Sequence, residues 1–484
     1  MRYSVIFDFY ISRYSLLATY KPDVMKTYRD AIDYLYGLQY LGIKFGLSNI
    51  KKILKSLNNP QKKYKIIHVV GTNGKGSVCS FLANILSKSG YRVGLYTSPH
   101  LVDFCERIQI DGKKITPDHI LRLAKKIKKI NERLALKATF FEVVTALAFE
   151  YFRYEDVDFA VVECGMGGRW DATNVVPNPL VTVITSIGMD HREYLGNSLQ
   201  KITQEKAGAI KRRGVLFSHS QKREIIEIVE DFAKKKKAQF YSLGRDFYFR
   251  NPRSFYNSLS KKGNGVFSYP KYQMFDFCGD SIGVDMTDLK IGLLGWHQIE
   301  NAALATGVAI WLQKRGVQID QSSLREALLG TYWPGRMEIL DVRVGSRWKH
   351  VLMDAAHNVQ AIQTLIRALK TQLSFSRLNL VLGILKDKDI RGIIKRIVPI
   401  ADRVILVSPF TERSWNPEMG KDIIYGISRK GEVEIFHEVD KGISRILKIS
   451  SEQDLICITG SLYTVGEARE HILRGWTTKF RKFN

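Results

Sequence analysis

Cysteine is scarce in this chain of 484 residues. The five present, Cys79, Cys105, Cys164, Cys278 and Cys457, are scattered, odd in number and never spaced CxxC. That argues against a disulfide framework and against a zinc site, and for reduced thiols in a cytoplasmic protein. Long apolar runs are missing too. The N-terminal stretch MRYSVIFDFYISRYSLLATY comes nearest, but Asp8 and Arg13 break it before it reaches the length of a membrane span or a signal core. Residues 1–22 read as an N-terminal extension, and no membrane partner is expected. No internal repeat is present, which excludes a solenoid. Acidic residues are in deficit: 48 Asp and Glu against 74 Lys and Arg leave a net charge of +26. Such a surplus raises the question of nucleic acid. Yet the lysine runs at 125–126, 128–129 and 234–237 fall on helical patterns, and aromatics are not interleaved with them as base-stacking platforms require. They read as solvated helix faces, and no nucleic-acid partner is expected.

Against these absences stand an apolar content of 45% and a length beyond one ordinary core, which predict two globular domains. The most informative stretch is IIHVVGTNGKGS at 66–77. Ile66, Ile67, Val69 and Val70 form a short branched run, the pattern of a buried strand. Gly71, Gly74 and Gly76 interrupt it, and a helical pattern resumes with Val78, Phe81, Leu82, Ile85 and Leu86. Strand, glycine-rich turn and helix bring backbone N–H groups and a helix N-terminus to bear on a phosphate. Lys75 adds a point charge, and Ser77 a hydroxyl for Mg²⁺. The general P-loop pattern is met incompletely, because Val69 stands where it has Gly and Gly76 separates Lys75 from Ser77.

Other chemistry sits at the ends of strand patterns. The run at 91–96 leads into Thr97-Ser98-Pro99-His100, on the face where open α/β sheets bind ligands, and Ser98 there can reach a metal. Thr139 and Glu142 have capping-box spacing, a structural use for both. A strand pattern at 158–163 ends in Glu163, followed by GMGGRWDATN with Arg169 and Asp171. Another at 180–186 leads into IGMDH, with Asp190 and His191. Glu163 and His191 suit Mg²⁺, which takes few protein ligands and keeps several waters. Lys206 by itself reads as a surface lysine. Residues 244–293 lose helical periodicity and read as a β-rich insertion, after which a helix at 294–309 contains Asn301. The Pro-Gly step marks 333–336 as a linker. Beyond it the strand–helix rhythm restarts near 350 and its last strand is expected at 455–459. The domains are thus expected at 23–332 and 337–484, both α/β.

The ordered set HVVGTNGKGS, YTSPHL, TFFE, ECGMGGRWDATN, ITSIGMDH, EKAGAIK, HQIENAALA, WPGRMEIL, DAAHN, GILKDKD and TGSLYTVGEAR spans about residues 30–470. With it the chain resembles the folylpolyglutamate synthase and dihydrofolate synthase family of Mur-type ligases. The resemblance implies an N-terminal P-loop-type ATPase domain with a parallel-rich sheet and a smaller Rossmann-like C-terminal α/β domain. It implies that Gly71, Thr72, Asn73, Gly74, Lys75, Gly76 and Ser77 hold the ATP phosphates, and that Asn301, Arg336 and Asp354 also contact ATP. Ser98 and Glu163 match ligands of one Mg²⁺ and His191 a ligand of a second. Lys206 matches a lysine carried as a carbamate, and His357 a histidine of the catalytic cleft and candidate base, so that Lys75, Lys206 and His357 form the catalytic set. The pterin side is implied at Lys44, Phe45, Gly46, Thr139, Phe140, Phe141, Glu142, Trp170, Asp171 and Ala172.

The implied reaction is ATP-driven addition of L-glutamate to folate or dihydropteroate through an acyl phosphate, by a monomer. Three positions depart from the family pattern: Trp170 replaces Leu, DAAHNVQA replaces DGAHNP, and Lys44 stands where forms with clear dihydrofolate synthase activity often have Asp. Two rivals are a Mur-type ligase of peptidoglycan synthesis, against which TFFE and GGRWDATN speak, and a non-catalytic nucleotide-regulated RNA-binding protein. The second would leave Ser98, Glu163, His191 and Lys206 idle.

Overall fold

Two helices, α1 (Tyr28–Gly37) and α2 (Ser48–Ser56), precede β1 (Lys65–Val70), the strand that the branched run predicts. The glycine-rich turn follows, then α3 (Lys75–Lys88). The chain continues through β2 (Val93–Tyr96), β3 (Ile108–Ile110), β4 (Lys113–Lys114), α4 (Pro117–Arg133) and α5 (Phe140–Tyr154). Next come β5 (Phe159–Glu163), β6 (Val181–Ile184), α6 (Arg192–Leu195), α7 (Leu199–Ala207), β7 (Val215–Ser218), α8 (Arg223–Lys236) and β8 (Gln239–Ser242). The computed structural model describes residues 25–42, 44, 46–256, 267–427 and 432–480. The extension read at 1–22 and the candidate Phe45 lie outside the described residues.

These strands form one sheet in the order β4-β3-β2-β5-β1-β6-β7-β8. It is parallel across β2-β5-β1-β6-β7-β8, with β3 and β4 antiparallel at one edge. β1 is central and buried on both faces, which is why it is so nearly an unbroken apolar run. Ile67 and Val69 pack with Val78, Phe81 and Leu82 of α3 on one side. Ile66 points the other way, into a core with Leu35, Ile53, Ile127 and Leu147. Parallel pairing brings the carboxyl ends of β1, β2, β5 and β6 to one edge, where such a sheet opens its ligand crevice. Gly71, Ser98, Glu163 and Ser186 lie at or just past those four ends.

The region 244–293 carries three antiparallel strands, β9 (Tyr248–Phe255), β10 (Tyr272–Cys278) and β11 (Met286–Ile291). Their Phe275, Phe277 and Ile291 join the core around α9 (Trp296–Lys314), a helix buried nearly all round. After α10 (Gln321–Gly330) and the linker come β12 (Glu338–Val344), β13 (Arg347–Met353), α11 (Val359–Gln372), β14 (Leu378–Leu382) and α12 (Ile390–Ile397). The chain ends in β15 (Arg403–Val407), α13 (Pro417–Tyr425), β16 (Glu432–Phe436), α14 (Val439–Ile449), β17 (Leu455–Thr459), α15 (Leu462–Gly475) and β18 (Thr477–Phe480). This second sheet has the order β16-β15-β14-β17-β13-β12-β18, parallel from β16 to β13. β12 and β18 are antiparallel additions at its edge, so the sheet begins at Glu338 and not near 350, and its last strand is β18 and not 455–459. Among the described residues no helix is long and apolar enough to cross a membrane. Lys126 and Lys129 on α4, and the lysines at 234–237, face solvent.

Candidate active site

The turn after β1 is built to approach other groups closely. Gly74 caps α3 at φ 86°, a left-handed conformation that favours glycine. A Cβ on Gly74 would lie 2.6 Å from Asn301 Oδ1, so α9 presses its asparagine against the loop. The first N–H groups of α3 have no partner within the helix, and 71–77 lines the crevice. Lys75 Nζ donates to the Thr72 carbonyl at 3.2 Å and lies 3.8 Å from Glu163 Oε1. Glu163 is buried at the end of β5, and its Oε2 accepts from the Ser98 N–H at 3.2 Å. Burial pushes its pKa up, while Lys75 and the Ser98 N–H oppose that. Among the described residues no group of three or more His, Cys, Asp and Glu is placed to hold a metal ion by itself. A buried carboxylate and a serine that line one cavity, with coordination left to water, fit Mg²⁺ rather than a metal that needs a protein cage.

Lys206 is not the surface lysine that its local sequence suggests. It is 2% exposed on the inner face of α7, and its Nζ donates to the Gly71 carbonyl at 2.7 Å. Burial pushes its pKa down to about 8, and Lys75 adds to the effect. His191 sits at φ 50° before α6. Burial pulls its pKa down to about 4 against the opposing charge of Asp190, leaving the neutral ring that binds metals.

The C-terminal domain closes over this edge. Asp190 Oδ1 pairs with Lys388 Nζ at 2.6 Å, and Asp190 Oδ2 with His357 Nε2 at 3.3 Å. Burial opposes ionisation of Asp190, but His357, His191 and Lys388 together hold it well below the usual carboxylate range. His357 Nδ1 lies 2.9 Å from the Ala355 carbonyl. Each ring nitrogen thus faces an oxygen, of the Ala355 carbonyl or of the Asp190 carboxylate. Asn358 donates to Asn73 Oδ1 at 3.0 Å, and Gln360 donates to Ser186 Oγ at 2.9 Å. Asp354 accepts from the N–H groups of Met337 and Ala356, tying the turn that carries Arg336 to the loop after β13.

Lys44, Gly46, Thr139, Phe140, Phe141, Glu142, Trp170, Asp171 and Ala172 line the same cavity, of about 850 Å³. Two have their polar atoms turned away into the scaffold. Glu142 accepts from the Thr139 N–H at 2.8 Å and hydroxyl at 3.0 Å, completing the cap of α5. Asp171 accepts from the N–H groups of Met166 and Thr173. Sequence reasoning misses Lys388, Asn358 and Gln360. Lys388 follows a strand end, β14, and the rule that finds Ser98 and Glu163 would find it as well.

Gly76 explains one departure from the general P-loop pattern. A Cβ there would meet the Trp333 indole at 2.9 Å. Gly76→Ala is expected to weaken ATP binding by about tenfold, because the loop and the linker tryptophan must move apart. Calorimetric titration with a non-hydrolysable ATP analogue measures it.

Residues 69–309 match the family described as the Mur ligase middle domain, and 335–462 the Mur ligase glutamate ligase domain. The chain is 34% identical to a dihydrofolate synthase/folylpolyglutamate synthase of Bacillus subtilis, across 92% of this chain and 99% of that one. A crystal structure of folylpolyglutamate synthase from Thermotoga maritima superposes with a TM-score of 0.76 at 34% identity, covering 94% of this chain and 98% of that one. The Mycobacterium tuberculosis folylpolyglutamate synthase, complexed with ADP and AMPPCP, gives 0.78 at 30% identity over 92% and 100%. Two α/β domains, a glycine-rich turn that lines the cavity, and this identity over nearly the whole length make one conclusion: the chain belongs to the dihydrofolate synthase/folylpolyglutamate synthase family of Mur ligases.

Proposed function

We propose that this protein adds L-glutamate to the carboxylate of a folate, and also to dihydropteroate, driven by ATP. It is an ATP-dependent carboxylate–amine ligase. A carboxylate is a poor acyl donor because its leaving group would be oxide. Transfer of the γ-phosphate to it gives an acyl phosphate and ADP. The α-amine of glutamate then attacks the acyl carbon, the C–N bond forms, and inorganic phosphate leaves with the former carboxylate oxygen. Lys75 and Arg336 neutralise charge on the transferred phosphoryl group. The observation that carries the reading is one cavity lined by Lys75, Glu163 and Lys206, by Arg336 of the linker, and by His357 and Lys388 of the other domain. Its closure excludes water from an acyl phosphate that hydrolyses readily.

Glu163 and the Ser98 hydroxyl would hold one Mg²⁺ and His191 a second. Bound there, Mg²⁺ supplies charge neutralisation for the triphosphate. Lys388, paired to Asp190, is a cation suited to a carboxylate of incoming glutamate, and His357 beside it is the candidate base for the glutamate amine. Lys206 is read as a carbamate: its lowered pKa supports a share of neutral amine, the form that attacks CO₂. The apolar wall of Phe140, Phe141 and Trp170 would take the pterin. Five buried free cysteines support a reducing, cytoplasmic setting, and the protein is read as a monomer that uses no nucleic acid.

The test is incorporation of radiolabelled glutamate with ATP and Mg²⁺, comparing a folate monoglutamate with dihydropteroate. Both acceptors are expected to be labelled. Labelling of folate alone would restrict the protein to polyglutamylation, and labelling of neither would refute the reading.

A further inference from the structure

The linker is tied to both domains at alternating residues. On the N-terminal side, Thr331 accepts from Asn84 of α3 at 3.2 Å, and the Trp333 indole lies on Gly76. On the C-terminal side, Tyr332 between them gives its hydroxyl hydrogen to Glu338 Oε1. The Glu338 carboxylate is buried and accepts more: the Gly335 N–H at 2.9 Å and Arg469 Nε at 3.0 Å, both on Oε2. Arg469, on α15, also donates from Nη2 to the Tyr332 hydroxyl at 3.0 Å. Three side chains from the linker, β12 and α15 thus form one closed clamp.

The clamp encloses the backbone that carries Arg336. Gly335 and Met337, on either side of it, both have left-handed φ, 69° and 49°. Each is pinned by a bond to the C-terminal domain: Gly335 N–H to Glu338, the Gly335 carbonyl to the Ala355 N–H at 2.9 Å, and Met337 N–H to Asp354. The same helix α15 receives the other domain. A Cβ on Gly466 would lie 2.1 Å from the Leu101 carbonyl oxygen, and one on Gly335 3.3 Å from the Leu101 side chain. Leu101 closely follows Ser98, so the clamp is assembled where the domains meet. A buried carboxylate held by three donor groups tolerates little displacement.

We propose that Glu338, gripped by Arg469 and Tyr332, is a positioning residue that aims Arg336 into the crevice for phosphoryl transfer. This rests on the reading of Arg336 as a contact of the ATP phosphates. Glu338 touches no substrate. It acts through the turn at 335–337, and its loss swings the guanidinium away from the reacting phosphate.

The test is a mutant cycle: Glu338→Gln, Tyr332→Phe, Arg336→Ala, and each of the first two combined with the third. Readouts are kcat, KM for ATP and for the folate acceptor, and the thermal midpoint. Glu338→Gln is expected to lower kcat about 10²-fold, the scale of a misplacement near 1 Å, with acceptor KM within about threefold. Tyr332→Phe is expected to lower kcat about fivefold, since the hydroxyl's bonds to Glu338 and Arg469 are lost while Arg469 and the Gly335 N–H still hold the carboxylate. On the Arg336→Ala background neither change is expected to lower kcat further. An unchanged kcat in Glu338→Gln, or losses that multiply with that of Arg336→Ala, would overturn the proposal. A wild-type kcat in Arg336→Ala alone would instead bring down the reading of Arg336 itself. If Glu338→Gln lowers the thermal midpoint too far for comparison, the Tyr332→Phe cycle decides by the same criteria.

Discussion

Lys206→Ala is expected to cut glutamate addition by on the order of 10³-fold or more while ATP affinity stays within a few-fold. The lysine is buried beneath the glycine-rich turn with its Nζ on the Gly71 carbonyl, so it meets no bulk water that could replace it. Carbamate formation joins the neutral amine to CO₂ and releases a proton, turning a cation into an anion beside the proposed metal sites and inverting their local field. The pKa of about 8 sets the pH dependence. About a tenth of the free lysine is neutral at pH 7 and about half at pH 8, so carbamate formation speeds up as pH rises. Wild-type protein held in CO₂-free buffer is expected to lose activity and to regain it with bicarbonate, faster at pH 8 than at pH 7. Near-normal turnover of Lys206→Ala, or indifference to bicarbonate, would contradict the carbamate.

Glu163→Gln is expected to lower kcat by about 10²–10³-fold and to raise the Mg²⁺ concentration needed for half-maximal activity. The substitution keeps the shape of the side chain and can keep the contact with the Ser98 N–H, so the end of β5 is expected to hold. What it removes is the negative charge facing Lys75 at 3.8 Å and offered to a metal. A Mg²⁺ titration of initial rates separates the two effects. An unchanged half-saturation would show that Glu163 is no metal ligand, whatever happens to kcat.

Much of this site is legible in the sequence because its chemistry sits at strand ends. The branched run before Gly71 announces a central parallel strand, and a carboxylate that closes another apolar run, Glu163, falls on the same sheet edge. Lys206 is easily misread because a lysine in QKITQEK resembles any solvated helix residue. Its place one turn after Ile202, on the buried side of α7, is the signal that marks it. β16 and β18 escape because edge strands mix charged and apolar residues and stay partly exposed, and β12, paired between β13 and β18, escapes because Glu338, Asp341 and Arg343 interrupt its apolar residues. The pairing of Asp190 with Lys388 joins residues 198 positions apart, and no local pattern encodes it. The clamp at Glu338 is hidden for the same reason: Tyr332 and Trp333 are neighbours in sequence but face opposite domains.

The central claim, that a carboxylate is phosphorylated before the amine attacks, has a direct test. Folate labelled with ¹⁸O in its reacting carboxylate is incubated with the protein, ATP, Mg²⁺ and L-glutamate, and the inorganic phosphate is analysed by mass. One ¹⁸O atom is expected in the phosphate for each glutamate added. Unlabelled phosphate accompanying product formation would mean that no acyl phosphate forms, and would contradict activation of the carboxylate by ATP.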